Sequence, residues 1–383
     1  MTDIDQPSDP DPDPAPPSGA APRIWLLLGE KRGDNAQVRN LATAVGLPFT
    51  EKNMVMKPEW VDGKPPVAAS IDHLDLDRSD SLDEPWPDLV MTAGRRLASV
   101  ALHLKQISGG RTRLVVVGKP RGRMQDFDLI VVARHYVLPD APNVARHDLP
   151  LMNVDKDALA ETKKAWVGRL TLLPRPLSAL FVGGPTGGLR LDVETTRRLL
   201  DETRKTVDQR RGSLYIVTSR RTPPAVNDFL GNEKSPNEQL YLYDAATPAN
   251  ENPYQGLLAL ADHFVVTTDS LSMMVEVARL GRPLSLFPLE REGAGFEGVL
   301  TRLGLLRRLS PQDDAIPAGG LAARLAAALG RPVHSRDLTA ISRLLVAERL
   351  ASWLLDPVIQ PEPYADDALD RVATRIRGLL GVS

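Results

Sequence analysis

Between Phe181 and Gly188 the chain reads Phe-Val-Gly-Gly-Pro-Thr-Gly-Gly, an apolar run that stops in four glycines shortly before a helix expected from Asp192. Glycines let a backbone come close to an anion, and freed N–H groups beside a helix N-terminus favour negative charge. Gly183, Gly184 and Gly187 are therefore candidates to lie against a diphosphate. The spacing matches neither the P-loop nor the G-x-G-x-x-G fingerprint, and an ordinary glycine-rich turn accounts for the same residues.

A second stretch, Thr267-Thr-Asp-Ser-Leu-Ser-Met-Met-Val-Glu276, places polar residues where a buried run gives way to a helix. Asp269 or Ser270 can cap that helix and leave spare N–H groups, with Ser272 at the same mouth. Glu276 stands about two turns further on. A carboxylate there can accept hydrogen bonds from the hydroxyls of a ribose. Asn252-Pro-Tyr254 precedes the strand at a spacing that brings an aromatic ring to the same mouth, and Ser219 with Arg220 follows a neighbouring strand. A capped helix with a surface glutamate is the alternative.

The third candidate is Gly29-Glu-Lys-Arg-Gly-Asp-Asn-Ala-Gln37. Gly33, Asn35 and Gln37, together with Arg95 and Arg96 after a later strand, can orient a polar acceptor. Of the six histidines, His135 alone follows an expected core strand at that edge, which makes it the first choice of general base. Asp34 and Glu30 are the rival bases.

These residues need strands to hold them. Ile24 to Leu28, Asp88 to Ala93, Arg113 to Val117 and Phe127 to Ala133 are short apolar runs bounded by turn residues, as in parallel strands buried on both faces. Helical stretches alternate with them. A second series, Ser178 to Val182, Ser213 to Thr218, His263 to Thr267 and Leu284 to Phe287, begins after the prolines of Leu173-Pro-Arg-Pro176. The pattern predicts an α/β fold with two Rossmann-like domains facing a cleft, residues 23–173 and 174–333, with ligands at the carboxyl ends of the strands. Residues 334–383 carry apolar positions at helical spacing, read as helices packing across both domains. For the last of them a membrane surface is the alternative. Residues 1–22 hold seven prolines and five aspartates and read as a disordered tail.

Composition narrows the chemistry. The 383-residue chain has no cysteine, which excludes disulfides and thiolate ligands, and its histidine and carboxylate spacing suggests no metal. Net charge is only -2, yet nine residues between Gly94 and Arg134 are basic against two aspartates. That region is expected either to face something anionic or to be a solvated basic face. It lacks the interleaved aromatics of a single-strand nucleic-acid binder, so no nucleic-acid partner is expected. No apolar run is long enough to span a bilayer and the N-terminus lacks the marks of a signal peptide, so a cytoplasmic location is expected.

Gly33-Asp-Asn-Ala-Gln37, Ala93-Gly-Arg-Arg96, Phe127-Asp-Leu-Ile-Val-Val-Ala-Arg-His135, Val182-Gly-Gly-Pro185 and Asn252-Pro-Tyr254 through Glu276 together resemble the mitochondrial-fission "elongated mitochondria" family. The segment from Asn252 to Pro283 is the most specific part. More distantly, the second half is similar to the donor domain of MurG-type glycosyltransferases of the GT-B fold. That likeness implies a diphosphate at Gly183 and Gly184, a helix mouth at Ser270 and Ser272, and a ribose at Glu276. Two expectations follow. One is a metal-independent glycosyltransferase that takes a nucleotide sugar as co-substrate, needs no other cofactor, and acts on an anionic or lipid-linked acceptor at the inner face of the membrane. The other is a protein of this family that keeps the fold as a non-catalytic binding scaffold.

Overall fold

The computed structural model describes residues 21–60, 67–120, 123–136, 138, 141–152, 154–186, 188–233, 235–290, 337–364 and 366–382. Gly187, most of the Pro- and Asp-rich tail and the segment 291–336 lie outside the described residues.

The first unit is a parallel sheet of six strands in the order β2-β1-β3-β4-β5-β6. They are β1 (Ile24–Leu28), β2 (Phe49–Asn53), β3 (Leu89–Ala93), β4 (Arg113–Val117), β5 (Leu129–Ala133) and β6 (Val144–His147). The four interior strands are the apolar runs of the sequence. Alternate side chains feed two cores: Leu26, Leu28 and Met91 pack with Val38 and Leu41 of helix α1 (Arg32–Val45), and Leu27, Val90 and Val116 with Val100 and Leu104 of α2 (Arg95–Ile107). Both sheet faces are covered, as an all-parallel sheet requires.

In the second unit β7 (Leu177–Val182), β8 (Ser213–Thr218), β9 (Glu238–Tyr241), β10 (His263–Thr267), β11 (Leu284–Phe287) and β12 (Ser352–Trp353) form a parallel sheet in the order β12-β11-β10-β7-β8-β9. Relabelled from its own first strand this is 6-5-4-1-2-3, the dinucleotide-fold order read from the other edge. Helices α4 (Val193–Gln209) and α5 (Pro224–Asn232) cover one face. The other is covered by α6 (Tyr254–Leu260), α7 (Leu271–Arg279) and α8 (Ala340–Ala347). The α/β class with two Rossmann-like sheets and C-terminal helices is the one expected.

The chain crosses between the units twice, and the first crossing comes earlier than the prolines at 174 and 176 suggest. Helix α3 (Lys156–Leu170) buries Trp166 and Leu170 in the second core. A Cβ on Gly256 of α6 would stand 2.5 Å from the Trp166 ring, so only glycine lets the two helices meet this closely. The last helix, α9 (Ala368–Leu379), returns to the first unit, where Val372, Ala373 and Ile376 pack beside α1. Its apolar face is thereby used inside the protein, which removes the pattern that suggested a membrane-surface helix. Among the described residues no helix is long and apolar enough to cross a membrane.

Candidate functional site

In a sheet of this order the connections leave in opposite directions from two adjacent strands, and the crevice between those strands at their carboxyl ends accepts ligands. In the second unit the two strands are β7 and β10. Gly183 and Gly184 follow the first, and Thr268, Asp269 and Ser270 follow the second. The two loops read from the sequence thus meet at the switch point of the sheet.

Their contact is close. Gly184 N–H donates to Asp269 Oδ2 at 2.9 Å, and Gly183 N–H to Thr267 Oγ1 at 2.9 Å. A Cβ on Gly183 would fall 2.1 Å from Asp269 Oδ2, and one on Gly184 2.1 Å from the Arg221 carbonyl oxygen. Both glycines are required by packing between loops, a reason distinct from the approach to phosphate considered above. Thr268 ties the loop to the next strand, since its hydroxyl accepts the Leu289 N–H at 3.0 Å.

The loop after β8 completes the mouth. Thr222 donates its hydroxyl to the Gly183 carbonyl at 2.6 Å and accepts the Ser219 N–H at 2.9 Å, which folds this loop against the glycines. Ser219 accepts the Arg221 N–H at 3.3 Å, so it shapes the turn. Arg220 is exposed, and it is Arg221 whose guanidinium reaches inward: Nη2 donates to Asp269 Oδ2 at 2.9 Å and to Ser270 Oγ at 3.3 Å, and Nη1 to the Gly184 carbonyl at 3.3 Å and to Thr186. Which of two adjacent arginines turns inward depends on the turn's geometry, and the sequence carries no signal for it.

Asp269 is 3% exposed, and its Oδ1 has no hydrogen-bond partner among the described residues. Burial pushes its carboxyl up, against the pull of the Gly184 N–H and Arg221 in the other direction. Helix α7 starts at Ser270 without a side-chain cap, which leaves its first N–H groups at the mouth, and Ser272 is exposed there. One helical turn below Ser272, Glu276 accepts the Tyr254 hydroxyl at Oε2, 2.6 Å away. Burial raises both groups. Tyr254 is fixed in turn by Asn252, whose Oδ1 accepts its N–H at 3.0 Å, and by the Phe181 ring at 4.7 Å.

The first sheet has its own switch point between β1 and β3. A small cavity there is lined by Gly29, Glu30, Asp34, Gly94, Arg95 and Arg96 among others. Asn35, which also lines it, is engaged in the turn: its side chain donates to the Gly29 carbonyl at 2.6 Å and accepts the Gly29 N–H at 3.1 Å. Gly94, at φ 81°, has the left-handed backbone that favours glycine, and Asp34 Oδ2 lies 3.5 Å from where its Cβ would be. Arg96 donates to the Trp60 carbonyl at 2.7 Å and lies 3.6 Å from Glu30. Gly33 and Gln37 sit on α1 outside the cavity wall.

His135 is not part of that wall. It is 5% exposed, its carbonyl accepts the Asp337 N–H at 2.8 Å, and its ring lies 4.2 Å from the Tyr136 ring. The residue belongs to a buried joint between β5 and the C-terminal part of the chain, which leaves Asp34 and Glu30 as the carboxylates placed at the cavity. Part of the basic stretch is paired within the protein. Lys105 and Arg113 both pair with Asp128, Arg123 with Asp126 and Arg134 with Asp148.

The sequence model of the mitochondrial fission ELM1 family matches residues 32–351. The mitochondrial fission protein ELM1 of Arabidopsis thaliana is 25% identical over 257 residues, a match that takes in 61% of this chain and 59% of that protein. The chain thus spans well under two thirds of that relative's length. An uncharacterized protein of Rickettsia prowazekii is 25% identical over 298 residues, 69% of this chain and 82% of the relative. Among solved structures, the UDP-GlcNAc 2-epimerase of Methanocaldococcus jannaschii is similar with a TM-score of 0.49 at 8% identity, covering 93% of this chain and 99% of that one.

Proposed function

The chain belongs to the mitochondrial fission ELM1 family, and on that footing we propose that its second unit binds a nucleoside diphosphate sugar and that the protein is a metal-independent glycosyltransferase of the GT-B type. The observation that carries this reading is the meeting of the Gly183–Gly184 loop with the uncapped N-terminus of α7 at the switch point of the second sheet. The N–H groups of that helix turn, with the hydroxyls of Ser270 and Ser272, would hold the diphosphate, and Glu276 a ribose hydroxyl. Charge that develops on the departing diphosphate is then met by fixed dipoles. On the first unit Asp34 would take the proton of the acceptor hydroxyl, with Arg95 and Arg96 beside it to orient an anionic or lipid-linked acceptor of the cell envelope. The protein would work in the cytoplasm, at the inner face of the membrane when the acceptor is lipid-linked.

Calorimetric titration with UDP, GDP, CDP and ADP tests the donor site. One of them is expected to bind, and Glu276→Ala to weaken it at least tenfold; absence of heat with all four excludes the reading. Sedimentation with anionic vesicles tests the acceptor side, where binding is expected to fall steeply with salt.

A second reading, a scaffold without catalysis, is favoured by one feature. Gly184 N–H is already occupied by Asp269, and Glu276 Oε2 by Tyr254. Nucleotide binding without turnover of any nucleotide sugar in a donor-hydrolysis assay selects it.

A further inference from the structure

The ion pair at the mouth of the second unit is unusual in its asymmetry. The Asp269 side chain has no exposed surface, whereas that of Arg221 is 38% exposed, so a buried anion holds a cation that reaches solvent. Arginine and a carboxylate match best when both oxygens take parallel N–H groups. Here Oδ2 alone receives Arg221, at 2.9 Å, together with the Gly184 N–H and the Ser270 hydroxyl, and Oδ1 is buried without a partner among the described residues. The guanidinium bridges two neighbouring loops by single hydrogen bonds: to Asp269 and Ser270 on one, and to Gly184 and Thr186 on the other. It stands at the place where the strand order opens the crevice, next to the uncapped start of α7.

Building on the nucleotide reading of this site, we propose that Arg221 is its diphosphate ligand and that Asp269 is a resident counter-ion, so that ligand enters by exchanging one anion for another at the guanidinium. A diphosphate offers Arg221 the bidentate match and the higher charge that the single Asp269 oxygen does not. Asp269 keeps the Gly184 N–H when the arginine turns outward, and the Ser270 hydroxyl turns with the arginine to the diphosphate. The charged group that faces Asp269 from the neighbouring loops is Arg221; its other hydrogen-bond partners are that N–H and the Ser270 hydroxyl. The exchange also explains why the buried carboxylate is there: it holds three loops in the bound arrangement before the ligand arrives.

The test is titration of the full chain with inorganic pyrophosphate and with UDP, GDP, CDP and ADP, comparing the wild type with Arg221→Gln, Arg221→Lys and Asp269→Asn. Arg221→Gln is expected to weaken pyrophosphate and the preferred nucleotide at least tenfold, Arg221→Lys less, and Asp269→Asn to strengthen both about threefold or more. Should Asp269→Asn not fold, Asp269→Ser, which removes the charge with a smaller side chain, decides in its place. If Arg221→Gln binds like the wild type while Glu276→Ala does not, the Arg221 assignment falls and the nucleotide site stands. A folded Asp269 variant that binds more weakly makes Asp269 a support for Arg221 and overturns the exchange. If no nucleotide binds the wild type, the nucleotide reading itself is wrong.

Discussion

Tyr254 donates its hydroxyl to Glu276 Oε2 at 2.6 Å, joining the first residue of α6 to the middle of α7 across the mouth of the second sheet. The phenol is half-buried against Phe181, and the carboxylate sits where burial raises its proton affinity. A hydrogen bond to a charged group contributes about 1.5–3 kcal/mol, and its loss leaves the buried carboxylate short of a partner. Tyr254→Phe is accordingly expected to lower stability by about 2 kcal/mol in urea denaturation. It should also weaken nucleotide binding, because Glu276 then loses the contact that fixes its rotamer. An unchanged unfolding midpoint would mean that the pair is broken in solution.

The glycines of the β7 loop give a contrast within one protein. Gly183→Ala would drive a methyl to 2.1 Å from Asp269 Oδ2, and Gly184→Ala to 2.1 Å from the Arg221 carbonyl, which is backbone and gives way least. Overpacking of this kind costs about 1–3 kcal/mol. Gly33→Ala on α1 meets nothing within 4 Å, and a helical glycine replaced by alanine gains roughly 0.5–1 kcal/mol. Opposite shifts of the denaturation midpoint are expected. Equal effects at the three positions would contradict the loop packing.

These loops were legible in the sequence because a fully apolar strand ending in glycine or in Thr-Thr-Asp-Ser is a strong boundary. The interior strands were legible for the same reason. The outer strands were not: β2 reads Phe-Thr-Glu-Lys-Asn and β9 Glu-Gln-Leu-Tyr, and an edge strand needs no second apolar face. Helix α3 joins the second core through Trp166 and Gly256, a contact between residues 90 positions apart that no local pattern announces. Arg221 was missed for its neighbour Arg220 because turn geometry alone decides which side chain faces inward.

Two buried histidines predict how stability depends on pH. Burial lowers His147, at the end of β6, to about 4, and His263, held between the hydroxyls of Ser178 and Ser285, to about 3. The unfolded chain takes up these protons near pH 6.5, so their contribution is complete above that value and is lost as pH falls towards 4 and 3. By pH 5 each is expected to cost roughly 2 kcal/mol. Urea midpoints measured from pH 7.5 to 4.5 should fall along that course, and less steeply in His147→Asn.

Asp34 and His135 were rivals for the general base, and the structure separates them by access. Asp34 lines the cavity at the first switch point beside Gly94, Arg95 and Arg96, while the His135 ring is 5% exposed and packed on Tyr136. A base must come within hydrogen-bond reach of the hydroxyl it deprotonates, directly or through one water, and a catalytic base contributes about 10²–10⁴-fold in rate. On the glycosyltransferase reading proposed above, Asp34→Asn is expected to lower kcat for sugar transfer by that factor with nucleotide affinity unchanged, since the donor loops belong to the other sheet. His135→Gln should instead lower the unfolding midpoint and leave kcat nearly unchanged. A variant at Asp34 that transfers sugar at the wild-type rate would return the search for the base to the other residues of the cavity, beginning with Glu30.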